Sequence, residues 1–360
     1  EQLKEFHRTH YHPKNARVWL WGDFDWEKSL KIIEEYTEGE INNASIEVNI
    51  GNGKVHNYGH AFYPVETNVN PESKSQAGWS WRIGPWDSLD KLITWQVLEK
   101  VLIGNSGSYL RKSLIDTGWG SDLGGLGLET ELKEGVWGIG LKDMNLKLNG
   151  EKLKKLILDE MEKLSGGIND EDKEAAMNLV EFGWREKDDG EMPEGLSILT
   201  RAINFWIYNG DPFMVLKFED ALARVRQDIK SGSLENLLSD LITSENKVWI
   251  ELEASNQLSI EMKGKEQKLL SSRLESWSEA DLAKMVVWDK TVTEWQIEED
   301  RWEEIGKIPR ISVRDINKEI KKTQFDLIKN EDSNTLIIKT DNLGITYGQI
   351  AFDLSVIEGR

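Results

Sequence analysis

The sequence predicts an α+β fold in which packed helices cover an antiparallel sheet and a helical hairpin follows. Residues 77–83 alternate strictly between apolar and polar or small side chains, as a strand of a half-buried sheet does. Two further strand patterns, 127–132 and 135–141, are joined by a short turn, which favours antiparallel neighbours. Amphipathic helices are predicted over 86–103 and 151–164, so the order of elements is not the regular β-α-β alternation of a doubly wound sheet.

Residues 1–40 are predicted to be the end of a first domain. A helical pattern over 1–12 stops at Pro13, since proline interrupts a helix. The short segment 17–21 is typical of a strand, and Asp25 can cap the helix that follows, because its carboxylate accepts hydrogen bonds from free N–H groups. The chain opens in the middle of a helical pattern, so we expect it to be a piece of a longer protein.

Residues 41–255 are predicted to form a second α+β domain. Its first part, 40–75, is polar and contains glycine and proline turns, which is typical of a domain boundary with one or two edge strands. Alternation then places Trp79 and Trp81 on the same face of one strand. The last strand of this domain is expected at 247–253.

Three consecutive helices are predicted within 177–222. The first ends at the turn 187–190, and the second begins at Pro193, because a fixed φ and a missing N–H suit the first helical turn. The third begins after Asp211, a residue type that caps helices, which is followed by proline. These helices are expected to form a layer that covers the sheet.

Residues 256–310 are predicted to be a linker of two antiparallel helices, the second of them capped by Ser278. Between Glu294 and Glu304 there are six acidic residues and one arginine, so this arm is expected to be solvated or to face a basic surface. Residues 311–360 contain strand-like segments and are predicted to open a third domain.

Length, charge and composition exclude several classes of protein. The 360 residues suffice for about two domains. The net charge of −19 argues against nucleic-acid binding, which requires Lys and Arg, and favours basic partners. No apolar run has the length that spans a bilayer, and no signal- or transit-peptide pattern is present. Cysteine is absent, so disulfides, thiolate metal sites and a cysteine nucleophile are excluded.

Four motifs follow one another along the chain. They are YHPKNARVWLWGDFD near the N-terminus, SYLRKSLIDTGWGSD, the helix EF-x-x-RE, and W-I-Y-x-x-DPF-x-x-LK at the end of the helical layer. In this order they resemble the presequence-protease branch of the pitrilysin-like zinc metallopeptidases, over nearly the whole chain. The resemblance implies the α+β fold of a pitrilysin-like metallopeptidase domain. For a full-length parent it implies zinc-dependent cleavage of short unstructured peptides, such as targeting presequences, in a chamber between two halves.

In this family the zinc ligands belong to an H-x-x-E-H motif, whose glutamate takes a proton from the zinc-bound water, and to a second glutamate downstream. The five histidines of the chain are His7, His10, His12, His56 and His60, and none of them fits the motif. We therefore expect no catalytic residue and no bound metal in this chain. The resemblance implies that a full-length parent carries the zinc upstream, and that this chain supplies scaffold and chamber wall.

Five residues are predicted to line the chamber, although core or turn packing is the more common role of such residues. They are Trp79, Trp81, Gly118, Gly120 and Asp122. The expected partners are short peptides, with basic ones favoured by an acidic wall, and the remaining domains of the parent, but neither nucleic acid nor membrane. The compartment stays open between an organelle matrix, mitochondrial or plastid, and a bacterial cytoplasm.

Other functions compete with this interpretation. A catalytically inactive homologue that holds peptides is the main alternative, since the chain alone lacks the zinc motif. Sixteen tryptophans and many carboxylates suggest carbohydrate binding, but most of the tryptophans lie on apolar faces, which is typical of core packing. The glycines of 118–127 fit neither a dinucleotide fingerprint nor a phosphate loop, and no G-x-S-x-G elbow is present.

Overall fold

The computed structural model describes residues 1–37, 56–186, 192–308, 310–314, 316, 318–319, 322–330, 333–340 and 342–355. The chain divides into two compact units, Glu1–Asn256 with Asn342–Arg360 and Gln257–Asp341. The predicted turn at 187–190 and a large part of the predicted boundary at 40–75 lie outside the described residues. The predicted division into four domain segments stays a prediction.

A five-stranded sheet is the centre of the first unit. Its strands are β1 Tyr58–Pro64, β2 Ser75–Pro85, β3 Asp122–Glu129, β4 Glu134–Met144 and β5 Lys247–Ser255. Their order across the sheet is β1-β5-β2-β4-β3. The pairs among β2, β3, β4 and β5 are antiparallel, as predicted, whereas the edge strand β1 is parallel to β5. No hairpin joins β1 to β5, so nothing in the local sequence indicates this direction.

Helices surround this sheet and continue into the second unit. The first unit contains α1 Gln2–His10, α2 Trp26–Thr37, α3 Leu89–Ile103, α4 Tyr109–Ile115, α5 Leu146–Ser165, α6 Asp170–Arg185, α7 Glu194–Trp206, α8 Phe218–Lys230 and α9 Ser233–Thr243. There follow α10 Asn256–Ser276, α11 Glu279–Ile297 and α12 Trp302–Ile305, and then the strand pair β6 Phe325–Lys329 and β7 Asn334–Ile338. No helix among the described residues is long and apolar enough to cross a bilayer.

Capping residues explain where several helices begin. The side chain of Asn145 accepts a hydrogen bond from the N–H of Leu148 at 3.2 Å at the start of α5. Asp211 caps as predicted, although the segment that it caps is a 3₁₀ turn, Pro212–Lys217, which leads into α8. Ser278 and Asp281 form a capping box at the start of α11, which confirms the predicted break between α10 and α11.

Four tryptophans hold the central strands against the helices. They are Trp79 and Trp81 of β2, Trp137 of β4 and Trp249 of β5. The ring centroids of Trp81 and Trp137 are 5.2 Å apart, and those of Trp79 and Trp249 are 5.5 Å apart. The indole N–H of Trp79 donates to a backbone carbonyl of α5 at 3.1 Å, and that of Trp81 to a carbonyl of α9 at 2.9 Å. Much of the apolar core therefore consists of indole rings, which bury large areas.

Glycines allow a close approach of β2 and β4. Gly78 pairs with Gly140 across the two strands. A Cβ atom on Gly78 would lie 2.5 Å from the carbonyl oxygen of Ile139, and one on Gly140 would overlap the carbonyl group of Ala77. Any side chain at either position would force the strands apart.

Residues 17–21 are not the strand that the sequence predicts, within the part of the chain that the structure describes. Nε of Arg17 donates to the carbonyl oxygen of Trp206 at 3.1 Å, so this segment is bound to the end of α7. Trp21 lies against Gly195, where a Cβ atom would overlap its ring. The aromatic pattern therefore reflects packing against a helix, and a strand also requires a partner that the described residues do not provide.

The strand patterns of the C-terminal region are confirmed only in part. The predicted strand at 335–340 corresponds to β7, which pairs antiparallel with β6. The predicted strand at 345–354 is not formed by the described residues 345–354, and β6 itself was not predicted. An apolar segment becomes a strand only where a neighbour supplies hydrogen bonds, and this neighbour is not visible in the local sequence.

Candidate functional site

The sheet of the first unit has two different faces. One carries the four core tryptophans and is covered by helices. The other, which we call the open face, consists of Gln76, Gly78, Ser80 and Arg82 of β2, Val136 and Lys142 of β4, and Val248, Ile250 and Leu252 of β5. These residues keep part of their surface exposed, because they alternate with buried ones along antiparallel strands. The open face is thus a broad surface of small, aliphatic and polar side chains.

The charges at this surface are paired with one another. Nε of Arg82 lies 3.2 Å from Glu134 Oε2. Asp122 contacts both Arg111, at 3.4 Å, and Lys142, at 3.7 Å. The backbone N–H of the next residue donates to the carboxylate of Asp122, and this bond, with Lys142 and Arg111, lowers the pKa of Asp122. The open face is therefore balanced in charge rather than acidic.

Three of the five predicted wall residues lie together, and the other two lie elsewhere. Gly118, Gly120 and Asp122 follow one another at the corner between α4 and β3, with Gly118 at a φ of 65°. Trp79 and Trp81 point to the opposite side and are only 7% and 1% exposed. Core packing is thus the role that the structure shows for both tryptophans, and their rings do not lie on the surface of this unit. A wall role for the corner stays a prediction.

The edge strand β3 begins at this corner. It pairs with β4 alone, so its outer N–H and C=O groups have no strand partner among the described residues. Gly125 and Gly127 have positive φ values, and the register shifts between Gly124 and Gly127, which marks a β-bulge. The carboxylate of Glu99 accepts the N–H of Leu128 at 2.7 Å and fixes the bulge. Sequence analysis did not recognise that these glycines form a free strand edge, since the bulge breaks the alternating pattern.

The EF-x-x-RE motif forms an ion-pair network on α6. Glu181 accepts hydrogen bonds from Arg185 at 2.7 Å and Arg226 at 2.6 Å. Burial alone would raise the pKa of Glu181, but these two hydrogen bonds outweigh it and the pKa is lowered. Arg185 also contacts Glu219 at 2.9 Å and the carbonyl oxygen of Leu343 at 3.1 Å. The motif therefore joins α6 to α8 and to the segment that begins at residue 342.

A separate groove of about 410 Å³ lies at the other edge of the sheet, between β1, β5 and the start of α5. The O–H of Tyr58 donates to Glu251 at 2.7 Å, which raises the pKa of the tyrosine. Nε2 of His60 lies 3.2 Å from a carboxylate oxygen of Glu253. These polar groups contact one another, and they lie on the helical side of the sheet rather than on the open face.

Known families match both parts of the chain. Residues 1–180 match the model of the peptidase M16 inactive domain, and residues 252–359 match the model of the region associated with subfamily C of the M16 peptidases. The chain belongs to the M16 peptidase family.

The curated relatives of this M16 chain include organelle and bacterial proteins. Presequence protease 1, chloroplastic/mitochondrial, of Arabidopsis thaliana is 29% identical over 377 residues, which cover 99% of this chain and 34% of that protein. Protein HypA of Clostridium perfringens is 28% identical over 327 residues, which cover 89% of this chain and 33% of that protein. The chain thus spans about a third of the length of these relatives. Its predicted place in the presequence-protease branch is confirmed.

Solved M16 structures share the fold. The peptidase M16 inactive domain from Pseudomonas fluorescens matches with a TM-score of 0.51 and 17% identity, over 71% of this chain and 57% of that one. A protease from Helicobacter pylori matches with a TM-score of 0.50 and 16% identity, over 70% of this chain and 58% of that one. The predicted α+β class is therefore confirmed.

The side chains of this M16 chain do not fit the family's zinc. Two imidazoles and a carboxylate are required for the metal of the inverted motif. No group of three or more His, Cys, Asp and Glu side chains among the described residues is arranged to hold a metal ion. His60 contacts Glu253, and Nδ1 of His10 lies 2.9 Å from the carbonyl oxygen of Phe6.

Proposed function

We propose that this chain is the non-catalytic scaffold and chamber-wall part of a zinc metalloendopeptidase that degrades short unstructured peptides, such as targeting presequences. The open face carries the proposal. Helices and indole rings hold one side of the sheet, while the other side keeps its surface exposed, as the wall of an enclosed space requires. The corner at Gly118, Gly120 and Asp122 adjoins this surface, and Trp79 and Trp81 support it from behind.

The composition of the open face suits peptides of varied sequence. Gly78 and Ser80 add little bulk in the middle of the sheet, so an extended peptide can approach the backbone closely. The ion pair between Arg82 and Glu134 leaves no isolated charge there to select one peptide strongly. Any preference for basic peptides would then come from the net charge of the chain, −19, rather than from a specific pocket.

The free edge of β3 offers a way of holding such peptides. An unstructured peptide can add to a sheet edge as a further strand, and the hydrogen bonds then come from main-chain groups of any sequence. The edge beside Gly124 and Gly125 carries no bulky side chain that would block this approach. Peptide holding is also what the main alternative, a catalytically inactive homologue, would do.

Zinc and the catalytic residues belong, in this proposal, to other parts of a full-length parent, whose remaining domains are the partners of this chain. Residues 1–40 would end the catalytic domain, 41–255 would form the non-catalytic domain, 256–310 the linker and 311–360 the start of the third domain. The Arabidopsis and Clostridium relatives support an organelle matrix and a bacterial cytoplasm respectively as the compartment.

The first test measures zinc content and peptide cleavage with the purified 360-residue chain, with and without a chelator. We expect no stoichiometric zinc and no cleavage of an unstructured peptide. Stoichiometric zinc with chelator-sensitive cleavage would contradict the proposal. The inactive-homologue alternative gives the same result for this chain, and an assay of the full-length parent separates the two, because only a peptidase parent cleaves the peptide.

The second test locates the peptide by photo-crosslinking in the full-length parent. A photoreactive residue replaces Ser80 on the open face or, as a matched control, the exposed Leu148 on α5. We expect an unstructured peptide to crosslink from position 80 and much less from position 148. Equal crosslinking from both positions would contradict a chamber wall at the open face.

A further inference from the structure

Helix α11 carries an apolar stripe on its surface. Met285, Trp288, Val292 and Trp295 are spaced three and four residues apart, which places them on one face of the helix. Trp288 and Trp295 are 60% and 71% exposed, and Trp302, just beyond the end of α11, is 80% exposed. A contiguous exposed aromatic face of this kind is typical of an interaction surface.

The segment that follows the stripe is strongly acidic. Glu294 lies 3.7 Å from Lys290, and Glu304 lies 2.7 Å from Lys307, so two of the six acidic side chains are paired locally. The other four are Glu298, Glu299, Asp300 and Glu303. They form no ion pair with any residue in the part of the chain that the structure describes.

We propose that this α11 acidic surface, made of the stripe and the four unpaired carboxylates, is a docking site for a basic amphipathic helix. The stripe spans about three helical turns, the contact length of one helix lying along another. The apolar side of such a partner would cover Trp288 and Trp295. Its Lys and Arg side chains would reach the carboxylates and can also lie over the exposed indole rings as cation–π pairs.

Charge distinguishes this occupant from the others that an apolar face could take. A second copy of the chain would bring the same acidic segment against itself, and like charges repel. Phosphate groups of a nucleic acid would be repelled for the same reason. A basic helix satisfies the apolar and the acidic part of the surface together. This proposal does not depend on the chamber wall, since α11 belongs to the second unit.

A labelled peptide tests the proposal on the 360-residue chain. The probe is an amphipathic helix of about five turns with leucine on one face and lysine on the other, and a matched peptide carries glutamate in place of lysine. Fluorescence anisotropy measures both affinities at low and high salt. We expect the lysine peptide to bind at least about tenfold more tightly than the glutamate peptide, and to weaken as salt is added.

Variants locate the binding surface. Trp288→Ala combined with Trp295→Ala is expected to lower the affinity at least about tenfold, because buried aromatic anchors dominate such contacts. Glu298→Gln combined with Glu299→Gln should weaken binding severalfold and flatten its salt dependence. The matched control, Leu269→Ala on the exposed surface of α10, should bind as the wild type does, and circular dichroism checks that the helices persist.

Three results would overturn the proposal. Equal affinity for the lysine and glutamate peptides would remove the role of the carboxylates. Unchanged binding in the double tryptophan variant would place the peptide elsewhere on the chain. Self-association of the wild type that the same variant abolishes, measured by sedimentation, would assign the surface to a second copy.

Discussion

The tryptophans of the two units have opposite environments, although composition presents them as one large set. Trp81 and Trp137 are 1% exposed, and their rings lie within the core beneath the sheet. Trp295 and Trp302 remain on the surface of the second unit. A sheet with one covered face provides a large apolar layer in which indoles can be buried, whereas the surface stripe of α11 has no such cover among the described residues. The difference teaches that burial depends on the neighbouring element rather than on residue type.

The largest contrast should come from removing one ring in each unit. Trp81→Ala is expected to lower the free energy of unfolding by about 3–5 kcal/mol, since it leaves a large cavity in the core. Trp302→Ala should change it by less than about 0.5 kcal/mol, because the side chain is exposed. Urea unfolding followed by circular dichroism measures both. Similar losses would show that Trp302 is buried in solution and would erase the contrast.

Glycine substitution should separate the units by sign. Gly140→Ala is expected to destabilise the chain by about 3 kcal/mol, because the new Cβ atom would overlap the carbonyl group of Ala77. Gly264→Ala within α10 has open space around it and should stabilise that helix by about 0.5–1 kcal/mol. Thermal unfolding of both variants checks this. A neutral result at Gly140 would mean that β2 and β4 separate easily.

An ion pair gives an intermediate effect that depends on pH. Nζ of Lys173 lies 2.9 Å from Glu235 Oε1, and both side chains are largely buried. Burial alone would raise the pKa of Glu235, but the hydrogen bond from Lys173, with two from backbone N–H groups, outweighs it and the pKa is lowered. We expect Glu235→Gln to cost about 2 kcal/mol near neutral pH, because it leaves a buried cation without its main partner.

The sign of the pH dependence follows from the lowered pKa. The stabilisation by the carboxylate of Glu235 is fully present above the unfolded value, about 4.5, and is lost as the pH falls through the folded pKa. The difference between wild type and Glu235→Gln should therefore shrink in acid, as urea unfolding at several pH values would show. Breaking the exposed pair of Lys290 and Glu294 with Lys290→Ala should change stability little at any pH.

The smallest effects concern helix caps. Asn145→Ala removes the cap of α5 and should cost about 1 kcal/mol, which equilibrium unfolding detects. Ser278→Ala removes the capping box of α11 in the second unit. Faster hydrogen exchange in the first turn of α11, with unchanged exchange in the sheet of the first unit, is expected. Loss of protection in both places would indicate that the two units unfold together.

Local sequence patterns predicted those elements whose causes are local. Alternation over 77–83 predicted β2, and Ser278 predicted the start of α11. Residues 17–21 were wrongly predicted as a strand, because alternation with tryptophan also suits packing against Gly195 on α7. The parallel direction of β1 could not be predicted, since it depends on a partner that lies at the far end of the domain.

The candidate site was predictable only in its corner. Gly118 and Asp122 were identified from a turn motif and do lie beside the edge of the sheet. The open face itself was not identified, because the same alternation that defines Trp79 and Trp81 as one face leaves undecided which face the helices cover. The free edge of β3 depends on strand order, which no periodicity reveals.

The position of β5 has a consequence for how the protein folds. β5 lies between β1 and β2 in the sheet, yet it is the last of the five strands in the chain. The hydrogen bond between Tyr58 and Glu251 joins residues 193 positions apart. During synthesis β1 would leave the ribosome long before its only described neighbour exists, while β2, β3 and β4 can already pair. Contacts of such long range slow folding and leave an unpaired strand open to aggregation in the meantime.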